Sequence, residues 1–260
     1  MKFRIEKDSL GEVKVPQKAL WGAQTQRALD NFKISGIKFA FPFGRSFIEA
    51  LGIIKYSAAS ANNKLKLLPK NKAAAIKTAS KDVMLGVYDE SFPLDVFQTG
   101  SGTSTNMNAN EVIANVASKK SKLIINANDD VNMSQSSNDV IPTAICISAL
   151  IDMHRILLPN MDGLIKAIDA KMKKVKGNTK TGRTHLMDAM PIDFAQELSG
   201  WKAQLESSKK TLIAATSRMN ELPQGGTAIG TGINTHKDFS KNFCEEAVSY
   251  THLTLPTTSM

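Results

Sequence analysis

The chain is poor in the residues on which several classes of protein depend. It has two cysteines, Cys146 and Cys244, which lie far apart and match no metal-ligand spacing. Such cysteines build no disulfide framework and fit a reducing compartment, so we expect a cytoplasmic protein. The first residues are charged and lack the apolar segment of a secretory signal, and no apolar run is long enough to predict a membrane span.

Arginine and aromatic residues are also scarce, although the net charge is strongly positive. The formal charge is +9, carried mostly by lysine, and aromatic residues make up 6% of the chain. Nucleic-acid-binding surfaces rely on arginine and on aromatic stacking. The composition therefore argues against a nucleic-acid partner and favours small anions instead.

The sequence contains no motif for a common cofactor, a metal ion or a serine hydrolase. Residues 98–108 are rich in glycine, but they follow no strand-forming run and have neither dinucleotide nor Walker spacing. No close group of His, Cys and carboxylate residues has metal spacing, and no Gly-x-Ser-x-Gly motif is present. We therefore expect no cofactor and no metal.

Apolar residues at helical spacing dominate the chain, so the predicted fold is mainly α. The spacing predicts a short helix after residue 20 and further helices at 46–68, 72–87, 109–118, 141–176, 198–222 and 237–248. We expect Pro159 to kink the fourth of these further helices. The rest of residues 1–45 and all of residues 177–191 are predicted to be irregular.

The helix predicted at 198–222 has the clearest periodicity. Its apolar seam steps by three and four residues, as in a coiled coil, through Leu198, Trp201, Leu205, Ser208, Leu212, Ala215, Met219 and Leu222. A helix this long, at about 1.5 Å per residue, cannot bury such a seam inside a small domain. The pattern therefore predicts a helical bundle that is shared between subunits.

Four loops rich in Ser, Thr, Asn and Gly each lie beside a predicted helix end, at 98–108, 128–139, 181–190 and 224–236. In the second loop, Ser136-Ser137-Asn138 precedes a helix whose first N–H groups and partial positive charge can bind a carboxylate. The alternative is an ordinary N-cap formed by Asn138 or Asp139. Three successive candidates are more than a cap needs.

One histidine is the candidate proton carrier. His185 lies in the third loop beside Thr184, and imidazole titrates near neutral pH. A lone loop histidine is also commonly a hydrogen-bonded bystander. Of the other histidines, His154 lies within a predicted helix, His236 lies in the fourth loop and is ambiguous, and His252 lies near the end of the chain.

Taken in order, the four loops resemble class II fumarate hydratases of the fumarase/aspartase superfamily. The motifs are GSGT with NMN at 100–108, NDDVN with SQSSND at 128–139, GRTHL at 182–186, and GGTA, GTG and NTH at 225–236. Residues 20–27 are similar to the N-terminal segment of that family and, with Gly225-Gly226, favour fumarase over aspartase. The resemblance covers about residues 3–248.

The resemblance implies reversible anti addition of water to fumarate, giving (S)-malate, in a homotetramer with a shared helical core. It implies that His185 is catalytic and positions or protonates the water-derived oxygen. The implied substrate-binding residues are Ser101, Gly102, Thr103, Ser136, Ser137, Asn138 and Thr184. It also implies a secondary anion site at Asn126, Asn128 and Asp129, where Asn126 replaces the histidine of the family.

The family continues well beyond the matched residues, through the rest of the bundle and a GSSxMPxKxN loop that supplies a serine base, a lysine and an asparagine. The resemblance thus predicts an N-terminal lyase domain at 1–137, a partial central helical-bundle domain at 138–248 and a non-family tail at 249–260. It also predicts that the chain alone does not hydrate fumarate. Two alternatives stay open: an aspartate ammonia-lyase-like enzyme, and a catalytically dead fragment that only binds or assembles.

Overall fold

The computed structural model describes residues 2–38 and 45–251, with side chains as far as Val248. The described part is mainly helical, as the sequence predicts, with two small antiparallel hairpins. It divides into two compact units, the first comprising residues 1–149 and 220–260 and the second residues 150–219. The domain division predicted at residue 137 stays a prediction.

The first unit opens with a hairpin of β1 (Phe3–Asp8) and β2 (Gly11–Pro16), in which Phe3 lies opposite Pro16. The expectation that this stretch is irregular is therefore wrong. Its apolar side chains alternate, but Phe3 and Ile5 are about half exposed, so no buried face marks the strands in the sequence. The helices of this unit are α1 (Ala23–Asn31), α2 (Ser46–Lys64), α3 (Lys70–Met84), α4 (Thr103–Ser121), most of α5 (Ser137–Asp152) and α8 (Phe239–Thr251).

The core of the first unit is built around α2. Nearly every residue of α2 between Phe47 and Asn62 is buried, and α3, α4 and α8 pack against it. The helices approach closely because α2 carries small residues; a Cβ on Gly52 would lie 3.0 Å from the backbone oxygen of Ser80 in α3. Since α2 is surrounded on several sides, Lys55 is fully buried and must find its polar partners inside the unit.

The helix predicted at 109–118 begins earlier than expected, at Thr103. Its first turns contain Thr105, Asn106, Asn108 and Asn110, which are all buried. The polar sequence suggested a loop, but Thr105, Asn106 and Asn108 bond to neighbouring segments; Asn108 Nδ2, for example, donates to the Ser91 carbonyl over 3.0 Å. Tertiary partners therefore allow a polar segment to lie in the core as a helix.

The second unit contains the end of α5, a π-helical turn at Met153–Leu157, α6 (Leu158–Val175), and α7 (Phe194–Met219), which packs along α6. Pro159, where the sequence predicts a kink, is the second residue of α6, and the π-helical turn lies just before that helix. Proline lacks the N–H of a helical hydrogen bond, and its ring crowds a carbonyl one turn earlier. α7 ends three residues before the predicted limit of 222.

Residues 177–191 were expected to form a loop, and this expectation is wrong. They belong largely to an antiparallel hairpin of β3 (Thr179–Thr184) and β4 (Met187–Asp193), with an irregularity between Thr181 and Arg183. The hairpin is mostly exposed and therefore has no alternation of apolar residues, which is the sequence signal of a half-buried strand.

The run of helix from Ser137 to Val175 is, by length and composition, apolar enough to cross a membrane, with a mean hydropathy of 1.6 over its most apolar window. The sequence analysis expected no such segment. Core helices of globular proteins have the same properties, and Val140, Ala144 and Ile147 at its start are fully buried in the first unit.

The last predicted helix, at 237–248, is observed as α8, which continues to Thr251. The remaining residues of the predicted tail, 252–260, lie outside the described residues, and so does His252. Residues 39–44, which include the expected turn formers Pro42 and Gly44, also lie outside them.

Candidate active site

The starts of α4 and α5 lie against each other in the first unit. Gly102 precedes α4 with a left-handed backbone, at φ 72°, and a Cβ there would lie 2.7 Å from Cγ1 of Ile141 in α5. Asn106 Nδ2 of α4 donates a hydrogen bond to Ser137 Oγ at the start of α5, over 3.0 Å. Two helix N-termini, each with partial positive charge, are thus brought together.

Hydroxyl groups line this junction. Ser101 Oγ and Thr103 Oγ1 lie 3.0 Å apart and both residues are exposed. Ser137 is half-buried, and its hydroxyl accepts a hydrogen bond from the Asn106 side chain. The first and second loops, which carry predicted binding residues, are therefore in contact through Asn106 and Ser137.

The N-cap of α5 is Ser136, so the alternative in which Asn138 or Asp139 caps the helix is corrected. Ser136 Oγ accepts from the backbone N–H of Asn138 over 3.3 Å, and Asp139 Oδ1 accepts from the backbone N–H of Ser136 over 2.9 Å. This reciprocal pair is a capping box. It leaves the hydroxyl of Ser137 and the exposed side chain of Asn138 outside the cap.

Asp139 also ties the fourth loop to the start of α5. Its second carboxylate oxygen accepts from the backbone N–H groups of Gly225 and Thr227 over 3.0 and 2.9 Å, and the residue is 2% exposed. Asn138 Nδ2 donates to the Ala228 carbonyl over 2.7 Å. Three of the four polar loops therefore meet in the first unit.

A fully buried lysine, Lys55 of α2, lies behind this junction. Its Nζ donates to three amide oxygens, Asn106 Oδ1 at 2.8 Å, Asn132 Oδ1 at 3.0 Å and Gln135 Oε1 at 2.9 Å. Burial lowers the pKa of Lys55 to about 7, and the Asp139 carboxylate opposes that shift. The three oxygens around Nζ match the three donors of a protonated amine, so below about pH 7 the site includes a buried cation that is held by neutral amides.

Sequence reasoning missed Lys55, although a signal for it exists. Lys55 lies four residues after Leu51 and four before Ala59, in a stretch from Ala50 to Ala61 whose other residues are apolar or small apart from Tyr56. A charged residue on such a face is rarely buried without specific partners. The lysine therefore marked a buried polar cluster, but its three amide partners come from two other segments that only the fold identifies.

Thr184 and His185, the predicted site residues of the third loop, lie in the second unit. Thr184 ends β3, and His185 with Leu186 forms the two-residue turn of the hairpin, at φ 51° and 61°. Thr184 and His185 are both exposed. The turn presents the imidazole to solvent, where it is free to contact a substrate or another chain.

The predicted secondary anion residues lie together at a short π-helical turn, Ala127–Val131. Asn126 precedes the turn, and its Oδ1 accepts from the backbone N–H groups of Asn128 and Asp129 over 2.8 and 2.9 Å. Those N–H groups are the ones that an anion would otherwise bind. Asn126 therefore occupies two backbone donors of the predicted site, and the binding of an anion there stays a prediction.

Glu111 of α4 holds the N-terminal segment that includes residues 20–27. Its carboxylate accepts from the backbone N–H groups of Gly22, Gln24 and Thr25 and from the Thr25 hydroxyl, over 2.6 to 3.1 Å. Burial raises the pKa of Glu111, and these hydrogen bonds act in the opposite direction. The contact fixes the start of α1 against α4.

The described residues contain no group of three or more His, Cys, Asp or Glu side chains placed to hold a metal ion. The first-unit junction instead presents hydroxyls, amides and helix N-termini, groups that can bind an anion. His236, the ambiguous histidine of the fourth loop, accepts through Nδ1 from the backbone N–H of Asp238 at the start of α8.

Comparison with protein families identifies the chain at this point. The sequence pattern of a family described as Lyase matches residues 11–259. The chain belongs to this lyase family. Curated relatives of this lyase include class II fumarate hydratases of Xylella fastidiosa strain Temecula1, which is 54% identical over 241 residues, and of Bacillus subtilis, which is 47% identical over 256 residues.

The lyase chain spans about half the length of the curated relatives it matches. The alignments cover 93% and 96% of this chain, but 50% and 54% of the Xylella and Bacillus proteins. Among solved structures, the cobalt-bound fumarate lyase:delta crystallin of Brucella melitensis superposes with a TM-score of 0.94 at 40% identity and covers 99% of this chain and 57% of its own. The class II fumarase of Schistosoma mansoni gives 0.91 at 37% identity, with 96% and 53% covered.

Proposed function

We propose that this lyase chain is part of a class II fumarate hydratase and supplies the carboxylate-binding part of its active site. The observation that carries the proposal is the meeting of the α4 and α5 starts, with Ser101, Thr103 and Ser137 at the junction. The similarity to fumarate hydratases over nearly the whole chain supports the same reaction, the reversible anti addition of water to fumarate.

The charge distribution of the junction suits a doubly negative acid. The α5 start contains one carboxylate, that of Asp139, but this group is buried and accepts three backbone N–H groups. Lys55 adds a buried cationic group behind the hydroxyls. Proton removal beside a carboxylate builds a dianionic aci-carboxylate, and fixed donors stabilise such charge without reorganisation.

We assign His185 to the water-derived oxygen, which the imidazole positions or protonates, with Thr184 binding a substrate carboxylate. The support is the GRTHL motif at 182–186 and the exposed turn that presents His185. Imidazole is suited to this task because it exchanges a proton near neutral pH.

We also propose that the enzyme is a homotetramer with a shared helical core. No residue of α6 or α7 is buried, and Leu164 and Trp201 are 50% and 56% exposed. Two packed helices with no buried residue leave their apolar seam open to water, which is unfavourable by about 25 cal/mol per Å². Copies of the same seam in other subunits would cover it.

Complementation tests the function. The chain alone is expected to show no fumarate hydration, because the relatives need about twice its length. Co-expression with the unmatched part of the Bacillus subtilis relative is expected to restore fumarate hydration, which is measured as a decrease in fumarate absorbance. The control is the Bacillus protein divided at the same point. If the divided Bacillus protein is active but an assembled hybrid is not, the proposed fumarate hydratase function is wrong. If the chain alone hydrates fumarate, the proposal that it supplies only part of the active site is wrong.

Two substitutions test the role of His185 in the active hybrid. His185→Asn is expected to lower kcat by about 10²–10⁴-fold, the range of general acid–base catalysis. The melting temperature should stay constant, because the side chain is exposed. His154→Asn, at another exposed histidine of the same unit, is the matched control and should keep full activity. Equal rates in both variants would exclude His185 from the mechanism.

A further inference from the structure

The buried Lys55 is linked to the Ser137 hydroxyl by hydrogen bonds that run in one direction. We propose that Lys55 is a positioning residue that, through Asn106, turns the Ser137 hydroxyl proton outward as a donor to a substrate carboxylate. The inference rests on the proposed function, since it assigns a task to the group behind the proposed carboxylate site.

The first link fixes the orientation of the amides. A protonated amine has three donors and no acceptor, so each neighbouring amide must present its oxygen to it. Lys55 Nζ meets amide oxygens of Asn106, Asn132 and Gln135, all within 3.0 Å. The opposite sides of two amides confirm this orientation: Gln135 Nε2 donates to the Val131 carbonyl, and Asn132 Nδ2 to the Gln135 carbonyl.

The second link fixes the hydroxyl. Because the Asn106 oxygen faces Lys55, its NH₂ group faces away and donates to Ser137 Oγ over 3.0 Å and to Asn132 Oδ1 over 3.3 Å. Ser137 Oγ is therefore the acceptor in its contact with Asn106. Within residues 2–38 and 45–251, no hydrogen bond of the structure uses the Ser137 proton, which leaves it for a ligand at the junction.

The third point is the charge behind the chain of bonds. Among the described residues Lys55 makes no direct ion pair, and its three hydrogen-bond partners are neutral amides. A buried cationic group is costly unless it is hydrogen-bonded, and its field is stronger in a low dielectric than in water. Hydrogen bonds in a chain polarise one another, so the cation makes Ser137 a better donor to an anion.

The test is a double-mutant cycle on the 260-residue chain, with succinate as the probe. Succinate is a dicarboxylate without the reactive double bond, and its dissociation constant is measured by NMR titration. The four proteins are the unsubstituted chain, Lys55→Met, Ser137→Ala and the double variant. Lys64→Met is the control, because it removes the same charge from the half-exposed end of the same helix.

Lys55→Met is expected to weaken succinate binding by about tenfold when Ser137 is present and to change it little in the Ser137→Ala background. Lys64→Met should bind as the unsubstituted chain does. If Lys55→Met does not fold, Lys55→Gln replaces it in the cycle, because glutamine keeps a donor but carries no charge. The side-chain NH₂ protons of Asn106 should exchange with solvent faster in either variant.

Equal losses in the two backgrounds, or no loss in either, would overturn the relay, since a residue that only supports the fold acts independently of Ser137. These outcomes leave the proposed function intact. Absence of succinate binding by the unsubstituted, folded chain would instead overturn the carboxylate site of the proposed function, and the relay with it.

Discussion

The contact of Asp139 with the fourth loop leads to a quantitative prediction. Its two carboxylate oxygens accept from the backbone N–H groups of Ser136, Gly225 and Thr227, at 2.9 to 3.0 Å, and the residue is 2% exposed. In Asp139→Asn the amide oxygen can accept two of these N–H groups. The amide NH₂ then faces the third donor, which loses its acceptor.

The magnitude follows from these contacts. A hydrogen bond to a charged group contributes about 1.5–3 kcal/mol, against about 1 kcal/mol for a neutral bond, and an unsatisfied buried donor costs about 1–3 kcal/mol. The variant avoids the cost of burying a charge, several kcal/mol, which offsets part of the loss. We therefore expect Asp139→Asn to lower the free energy of unfolding by about 2–4 kcal/mol, the residual of these opposing contributions.

Urea unfolding followed by circular dichroism measures this loss, and hydrogen exchange locates it at the amides of Gly225 and Thr227. The control is Asp30→Asn, whose carboxylate is half exposed and lies 3.7 Å from Lys33. Such an exposed pair contributes less than about 1 kcal/mol. If the two variants unfold at the same urea concentration, Asp139 does not hold the fourth loop, and our account of the junction is wrong.

Three further predictions concern the first-unit scaffold and the second-unit surface. The free energy of unfolding in urea should be about 1–3 kcal/mol lower for Gly225→Ala than for Gly230→Ala. Both positions have positive φ, but only at Gly225 would the new Cβ overlap Ser240 Oγ. Burial would raise the pKa of Asp95, but hydrogen bonds from three backbone N–H groups and one hydroxyl outweigh it and lower the pKa to about 2, below its ordinary 3.8. The stability that comes from the ionised carboxylate is therefore present above pH 4 and is lost towards pH 2. Asp95→Asn should remove that part of the acid dependence in a series of pH-dependent melts, and an unchanged profile would contradict it. Trp201→Glu should reduce the size of the assembly in light scattering, whereas an unchanged mass would place the subunit contact elsewhere.

Helix formation was largely predictable because it depends on local spacing. Apolar residues at steps of three and four placed α2 and α3 within a few residues of their observed limits. The two hairpins were missed since their strand residues, apart from the buried Val15, are exposed or half-buried. The early start of α4 was missed because its polar first turns are stable only through partners in other segments.

The sequence by itself determined the four polar motifs, their order and the family to which they belong, since these depend on residue types at short spacing. Only the tertiary structure decided that the first, second and fourth loops meet, that Ser136 caps α5, and that Lys55 lies behind Ser137. The reason is physical: hydrogen bonds such as Asn106 to Ser137 or Asp139 to Gly225 join residues 31 and 86 positions apart. No local pattern records such a bond, because it forms only when packed helices bring its two ends together.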